Sequence, residues 1–340
     1  MGFFLPPVSG GERPNPTLMT THPHTNHQPS PHLTTWVTLA FAYVYIAWGA
    51  TYMAVHYALE TLPPFALSGS RFFIAGSVLL VLLRIVQRAH FHFGSLREWR
   101  DAFTVGTMLL VGGNGSVAWA QQYVPTSIAA LIFGSMPLCI ILFEWIRPQG
   151  TAPSLRTCLG LGLGFVGLCI LLQPSATNPD SQMETYGKFA LMFAAASWSA
   201  GAIYSRHVHA KGSPLLPMAR QMIAGGIGLL IVSVFHGDWV HFSIGNVTLT
   251  SWLGFGYLVV FGSLFGFTAY VWLMRVSTPA HVSTISYVNL VVAVVIGWTV
   301  GREPVTLHLV LGAAIIVGSV ILVLKKKSTR RLVTPTPTEA

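Results

Sequence analysis

Arg71 and Arg220 each open nearly the same phrase: "SRFFIAGSVLLVLL" from Ser70 and "ARQMIAGGIGLLIV" from Ala219. A guanidinium inside an apolar run must find an acceptor or reach water along its own stem. The plainer reading is an anchor, paired with loop carbonyls or headgroups at a helix end. The other is a mouth residue that attracts anionic groups or closes against a carboxylate. Glu60, Asp180, Glu184, Asp238 and Glu303 are the acids on offer to Arg71, and Glu144 is the partner expected for Arg220. Glu144, in "ILFEWIRP", is the one acid inside an apolar run. Its place at the end of that run suits an ion pair with an arginine better than proton carriage. Neutral polar and aromatic side chains also interrupt the runs: Tyr43, Trp48, Tyr52, Asn114, Trp119, Gln122, Ser135, Trp198, Tyr204, Tyr270, Trp272, His281, Tyr287 and Asn289. Their chemistry is solute binding by stacking and hydrogen bonding, or hydrogen bonding between helices. For Asn114 and Asn289, the deepest of them, both readings stand. His281 near a helix start reads as structural before it reads as a titrating switch.

The elements that hold these residues follow from composition. Of 340 residues, 52% are hydrophobic and only 9% charged. A soluble domain carries about 25% charged residues. The apolar runs are long enough to cross a bilayer as helices. Bounded by proline, glycine and charge, they lie near residues 34–54, 66–84, 103–121, 126–146, 157–173, 188–205, 214–235, 251–273, 281–301 and 306–324. The expected fold is therefore an all-α polytopic membrane protein with ten transmembrane helices. Residues 1–33 are polar and rich in proline, threonine and histidine, and a disordered tail is expected there. Residues 325–340 form a basic C-terminal tail. Pro137 falls mid-span and is expected to kink helix 4.

With the N-terminus inside, the inner side takes Arg13; Arg84, Arg88, Arg97 and Arg100; Arg147 and Arg156; Arg206 and Lys211; Arg275; and Lys325, Lys326, Lys327, Arg330 and Arg331. The outer side takes only Lys188 and Arg302. That bias places both termini in the cytoplasm. The net charge of +9 is spread between apolar runs, not gathered in a patch, so no nucleic-acid partner is expected. The partners expected are the lipid bilayer and a small-molecule substrate. Cys139, Cys158 and Cys169 lie in apolar runs and are expected to pack as buried thiols.

The twin arginine phrases suggest two copies, residues 34–173 and 188–324. Trp48 precedes Arg71 much as Trp198 precedes Arg220; "YVPTSIAAL" resembles "VSTPAHVSTI", and Gly160 corresponds to Gly312. Five helices per copy is an odd number, so the second copy enters from the opposite side. A 5+5 inverted repeat of this kind serves alternating access in secondary transporters, with the site near the midplane. The cavity-lining residues are then Tyr43, Trp48, Tyr52, Asn114, Trp119, Gln122, Ser135, Trp198, Tyr204, Tyr270, Tyr287 and Asn289, because polar groups in the bilayer must face protein or a wet cavity. Arg71, Glu144 and Arg220 are the gating or ion-pair candidates.

The stretches "WGATYMAVHYALETLPPFALSGSRFFIAG", "VGGNGSVAWAQQYVPTSIAAL", "ASWSAGAIYSR" and "FGSLFGFTAYVWLMRVSTPAHVSTISYVNLVVAVVIG" resemble the EamA branch of the drug/metabolite transporter superfamily over about residues 35–324. The resemblance implies a bacterial inner-membrane protein that exports or exchanges small metabolites, amino acids or drugs. The sequence departs from the family at Leu290, where a proline is usual, and at "RPQG" after helix 4, where a Gly-Glu pair is common; the second half keeps "GREP" at Gly301–Pro304. An uncoupled facilitator or an uptake carrier is the alternative. A membrane-embedded enzyme needs clustered His, Asp or Cys at one face, which the sequence does not offer. No cofactor or metal is expected. "GLGFVG" at Gly162–Gly167 fits a dinucleotide fingerprint in letters only, since it lies in an apolar helix with no strand before it. Gly160 and Gly164 read as small residues for close helix packing.

Overall fold

A computed structural model of the chain describes residues 31–86, 91–147, 152–173, 182–208, 213–240, 242–282 and 284–324. The expected tails and Asp180 fall mostly or wholly outside these residues. Within them every regular element is helical and none is a strand. We label the rods in chain order. α1 is Pro31–Gly49 continued by Thr51–Ala58, and α2 is Pro64–Val86. α3 runs through Leu96–Gly106, Thr107–Gly115 and Ser116–Ala120; α4 is Thr126–Phe133 and Met136–Ile146. α5 is Leu155–Leu172, α6 Gln182–Ser205 and α7 Leu215–His236. α8 runs through Leu249–Tyr257, Leu258–Phe265 and Gly266–Val276; α9 is Ile285–Thr299 and α10 Leu307–Leu324. Six rods (α1, α2, α4, α5, α7 and α8) are long and apolar enough to cross a membrane, and α9 and α10 are shorter apolar helices. The chain is a multi-pass membrane protein.

Local chemistry sets the helix ends. Ser95 and Glu98 form a complete capping box at the start of α3. Ser154 and Thr248 cap α5 and α8 through their hydroxyls. Gly237, at φ 83°, ends α7 in the left-handed conformation. The capping box also corrects an expectation: α3 begins near Leu96, not near residue 103, because its first turns are amphipathic and lie outside the apolar run. α6 likewise begins at Gln182, not 188, with Glu184 and Lys188 paired one turn apart at 2.8 Å. The fourth span is not a single bent helix. It stops at Phe133 and restarts at Met136, with Pro137 in the first turn of the second piece. Proline suits a first turn, where its missing N–H has no partner to lose.

In lipid, helices gain little from hiding apolar surface, so close backbone approach does the work. α2 and α7 cross in this way. A Cβ at Gly226 would lie 2.6 Å from the Phe73 backbone nitrogen, and one at Gly76 would lie 2.7 Å from Met222 Cβ and 2.9 Å from the Ala219 carbonyl. The repeated Ile-Ala-Gly is thus a packing motif: Gly76 meets α7, and Gly225 meets α3 at Gly106 and Leu110. α5 lies along α10, where Gly164 faces Leu138 and Ser319, Gly167 faces Ile316, and Gly312 faces Leu171. Two of the three thiols do not pack inside. Cys158 and Cys169 are exposed on the outer surface of the rods and Cys139 is half-buried. An apolar run in this fold has a face for neighbours and a face for lipid, and these thiols fall on the second.

Replacing Gly226 by alanine forces α2 and α7 apart against immovable backbone. It should cost about 1–3 kcal/mol and lower the Tm of the detergent-purified protein, whereas alanine at Gly162, which has open space around it, should leave the Tm unchanged.

Candidate functional site

α3 and α8 share a feature absent from the other rods. Each passes mid-length into π-helix, Thr107–Gly115 in α3 and Leu258–Phe265 in α8. A π segment shifts the hydrogen-bond register and offers carbonyls to outside donors. Side chains of neighbouring rods supply them. From α1, Trp48 Nε1 donates to the Gly262 carbonyl at 3.1 Å and Tyr43 Oη donates to the Phe261 carbonyl at 2.9 Å. From α6, Ser197 Oγ donates to the Met108 carbonyl at 2.8 Å. Within α3, Asn114 Nδ2 donates to the Leu109 carbonyl at 3.2 Å. Met108 and Gly262 stand at equal distances ahead of Pro125 and Pro279, so matching carbonyls receive different donors in the two halves.

The aromatic residues gather in two groups. Trp48 packs on Tyr270 with ring centroids 5.1 Å apart, and on Phe267 at 5.3 Å. Tyr52, Trp119 and Trp198 pack around a buried cluster drawn from α3, α4, α5, α6, α9 and α10, and Trp198 lies against Gly113. Tyr287 is half-buried in α9. Asn289, two residues on and so on nearly the opposite face of α9, is half-buried overall, and its Oδ1 is buried with no hydrogen-bond partner. Gln121 Nε2 donates to the Tyr52 carbonyl at 2.9 Å, and its Oε1 is likewise buried and unpartnered. Buried acceptors of this kind ask for a donor.

Three expected lining residues sit elsewhere. Gln122 is exposed and donates to the Trp119 carbonyl of its own turn, while its neighbour Gln121 points inward. A shift of one residue turns a helix face by 100°, and the run around 121 carries no charge to fix the face from sequence. Tyr204 is exposed in the last turn of α6. Ser135 is buried, but its hydroxyl donates to Ile132 and serves the break in α4. His281 is exposed. A groove of roughly 240 Å³ between α4, α9 and α10 is lined by Leu131, Leu290, Val291, Val294, Leu309 and other aliphatic residues. It holds none of the polar candidates.

Charged groups lock the two ends of the bundle. At one end Arg220, 1% exposed, pairs with Glu98 at 3.2 Å and donates from Nε to the Leu216 carbonyl. The expected partner, Glu144, instead lies 3.0 Å from Arg147 and 3.3 Å from Arg206. Glu98 was not singled out because it lies ahead of the apolar run. The loop before α3 closes over Arg220: Gly94 has φ 102°, and a Cβ there would lie 2.1 Å from Arg220 Nη1, so both conformation and contact require glycine. Partial burial pushes the Glu98 carboxyl upward, but hydrogen bonds from His92 and Ser95 and the charge of Arg220 outweigh it and hold it at about 2. At the other end two carboxylates cap helices of the first half. Glu303 accepts from the backbone N–H and hydroxyl groups of both Thr126 and Ser127 at the start of α4. Asp238 Oδ2 accepts from the Phe65 and Ala66 nitrogens at the start of α2, at 3.1 and 2.9 Å, and Oδ1 lies 2.7 Å from His236 Nδ1. Anionic caps suit the positive end of a helix dipole. Lys188 donates to the Gln173 carbonyl and pairs with Glu184. Arg71 lies deeper. It donates from Nε to Ser263 Oγ at 2.8 Å, beside the π segment of α8.

The EamA-like transporter family matches residues 34–173 and again residues 185–325. The chain belongs to this family. An uncharacterized inner membrane transporter of Escherichia coli (strain K12), YedA, is 32% identical over 281 residues, covering 82% of this chain and 88% of that protein. The Bacillus subtilis (strain 168) transporter YoaV is 24% identical and covers 82% of this chain and 94% of its own length. A WAT1-related chloroplastic protein of Arabidopsis thaliana is 24% identical over 85% of this chain. A solved crystal structure covers 84% of this EamA chain at TM-score 0.58 and 20% identity, which establishes a shared fold.

Glu98→Gln leaves the buried Arg220 without a counter-charge and should cost roughly 2–3 kcal/mol near neutral pH. Because the Glu98 carboxyl is held below its ordinary 4.5, its contribution is complete above that value and disappears as pH falls toward about 2. The Tm difference between the parent and Glu98→Gln should therefore be constant from pH 6 to 8 and shrink below about pH 4.

Proposed function

We propose that this EamA protein is a secondary transporter of the bacterial inner membrane, with ten spans and both termini in the cytoplasm. It moves a small metabolite, amino acid or drug, with export as the working direction, by rocking two inverted halves about a midplane site. The observation that carries the reading is the distribution of contacts between the halves. At the end assigned to the cytoplasm, Glu98–Arg220 and Glu144–Arg206 join residues of the first half to residues of the second. At the opposite end, Asp238 and Glu303 of the second half cap α2 and α4 of the first. Each is a small polar clamp that can open without disturbing the helix packing around it, which is what alternating access requires. Between the clamps lie the paired π segments, the aromatic groups and the unpartnered acceptors of Gln121 and Asn289.

The carboxylates described at the two ends are engaged as caps or ion pairs. A carrier for a coupling proton is not evident among them, and this favours the second reading, an uncoupled facilitator for the same solutes. Counterflow in proteoliposomes, with and without an imposed pH gradient, separates the two. Gradient-driven accumulation of a tested metabolite supports coupling, and exchange insensitive to the gradient supports facilitation. Absence of exchange for any solute in a broad metabolite, amino-acid and drug panel would overturn both.

In the same assay Asn289→Leu should lower exchange at least tenfold with little change in Tm, whereas Trp198→Ala, which empties a packed site, should lower both exchange and Tm. Cys169→Ser, on the outer surface, should exchange as the parent does.

A further inference from the structure

Arg71 and Arg220 hold the same place in their repeated phrases, yet their surroundings differ. Arg220 has Glu98. Arg71 is 6% exposed, and its interactions are the hydrogen bond to Ser263 and a place over the Phe72 ring at 4.6 Å. No carboxylate among the described residues reaches ion-pair distance of it. Of the acids nominated for it, Glu184 is used by Lys188, Asp238 by α2 and His236, and Glu303 by α4; Glu60 is exposed and not within ion-pair distance of Arg71, and Asp180 lies outside the described residues.

The two halves also differ at their matching helix starts. α3 and α8 start on matching hydroxyl caps, Ser95 and Thr248, and three residues on the first has Glu98 where the second has Ser251. Ser251 spends its hydroxyl on the Tyr57 carbonyl and on Thr61 and Thr248. The second half thus has no acid at the matching helix start, and Arg71 itself lies further along α8, beside Ser263. A buried guanidinium without a counter-charge is costly, and an anion supplied from outside removes the cost. The guanidinium packs closely against α8, and glycine is what admits it there. Arg71 Nη2 lies against Gly262, where a Cβ would come within 3.2 Å of it and 3.0 Å of Thr51 Cγ2. The same glycine's carbonyl is held by Trp48, which stacks with Phe267 and Tyr270.

We propose that Arg71 is an anion subsite that takes the carboxylate of the transported solute, with the Trp48, Phe267 and Tyr270 rings beside the solute's apolar body. This rests on the transport reading above and narrows its substrate class to monocarboxylates. A single guanidinium suits a single negative charge and binds carboxylate oxygens through its two Nη groups while Nε stays on Ser263. A lipid phosphate offers the same charge, so the source must be tested.

The probes are benzoate, benzamide and benzylamine, added to the full-length protein in neutral detergent and in phosphatidylcholine liposomes with or without phosphatidylglycerol. Benzoate should raise the Tm saturably in both settings, and benzamide and benzylamine should not. Arg71→Gln should weaken the benzoate effect at least tenfold and Arg71→Lys less. Ser263→Asp places a carboxylate against the guanidinium. It should abolish benzoate binding while keeping the fold at least as stable, an effect that a purely structural Arg71 would not produce. If Arg71→Gln fails to fold, Ser263→Asp decides alone. Equal effects of benzoate and benzamide, benzoate binding retained in Ser263→Asp, or stabilisation by phosphatidylglycerol but not benzoate would each overturn the proposal. Counterflow of neutral or cationic solutes with no carboxylate preference would also overturn it, yet leave the transport reading intact.

Discussion

Inside a bilayer no water is available to satisfy a backbone N–H or C=O, and much of this structure answers that constraint. The π segments of α3 and α8 free carbonyls at mid-length, and Tyr43, Trp48, Ser197 and Asn114 are committed to them. The start of α2 is closed by Asp238 and that of α4 by Glu303. The end of α5 is closed by Lys188. Few of the polar groups that a sequence offers for binding are therefore free to bind. Those whose acceptors stay open, Gln121 and Asn289, stand out against this background.

The same constraint decides where the charges go. With so few of them, a pair at a helix end does two jobs, closing orphan backbone groups and joining the halves. Glu98 is the densest case. It caps its own helix through Ser95, accepts from His92 and neutralises Arg220 across the interface. Glu303 similarly holds two successive residues of α4 from the far half. Where both partners reach solvent, as in Glu144–Arg206, such contacts are modest in energy because solvent competes for each group; the buried Arg220 has no such competitor.

Repetition supplies the frame, and departures from it supply individuality. The glycines of the Ile-Ala-Gly phrase pack in both halves. The carbonyls of Met108 and Gly262 are both capped, but by a serine in one half and an indole in the other. The acid at Glu98 has no counterpart at Ser251, and two arginines that look alike in sequence end in different electrostatic settings.

Composition and the length of the apolar runs were enough to determine a helical membrane protein, because bilayer thickness and backbone satisfaction leave little else for such a chain. The twin arginine phrases and the family stretches were also legible, since they are patterns of letters at fixed spacing. Tertiary structure alone decided the rest. It gave Arg220 to Glu98 and not to Glu144, turned Gln121 inward and Gln122 outward, put Cys158 and Cys169 on the outer surface, and broke α4 into two pieces. Apolar residues face both lipid and neighbouring helices, so hydrophobicity does not mark which face is inside. The side chains that meet across the bundle come from rods far apart in sequence, and only their packing brings them together.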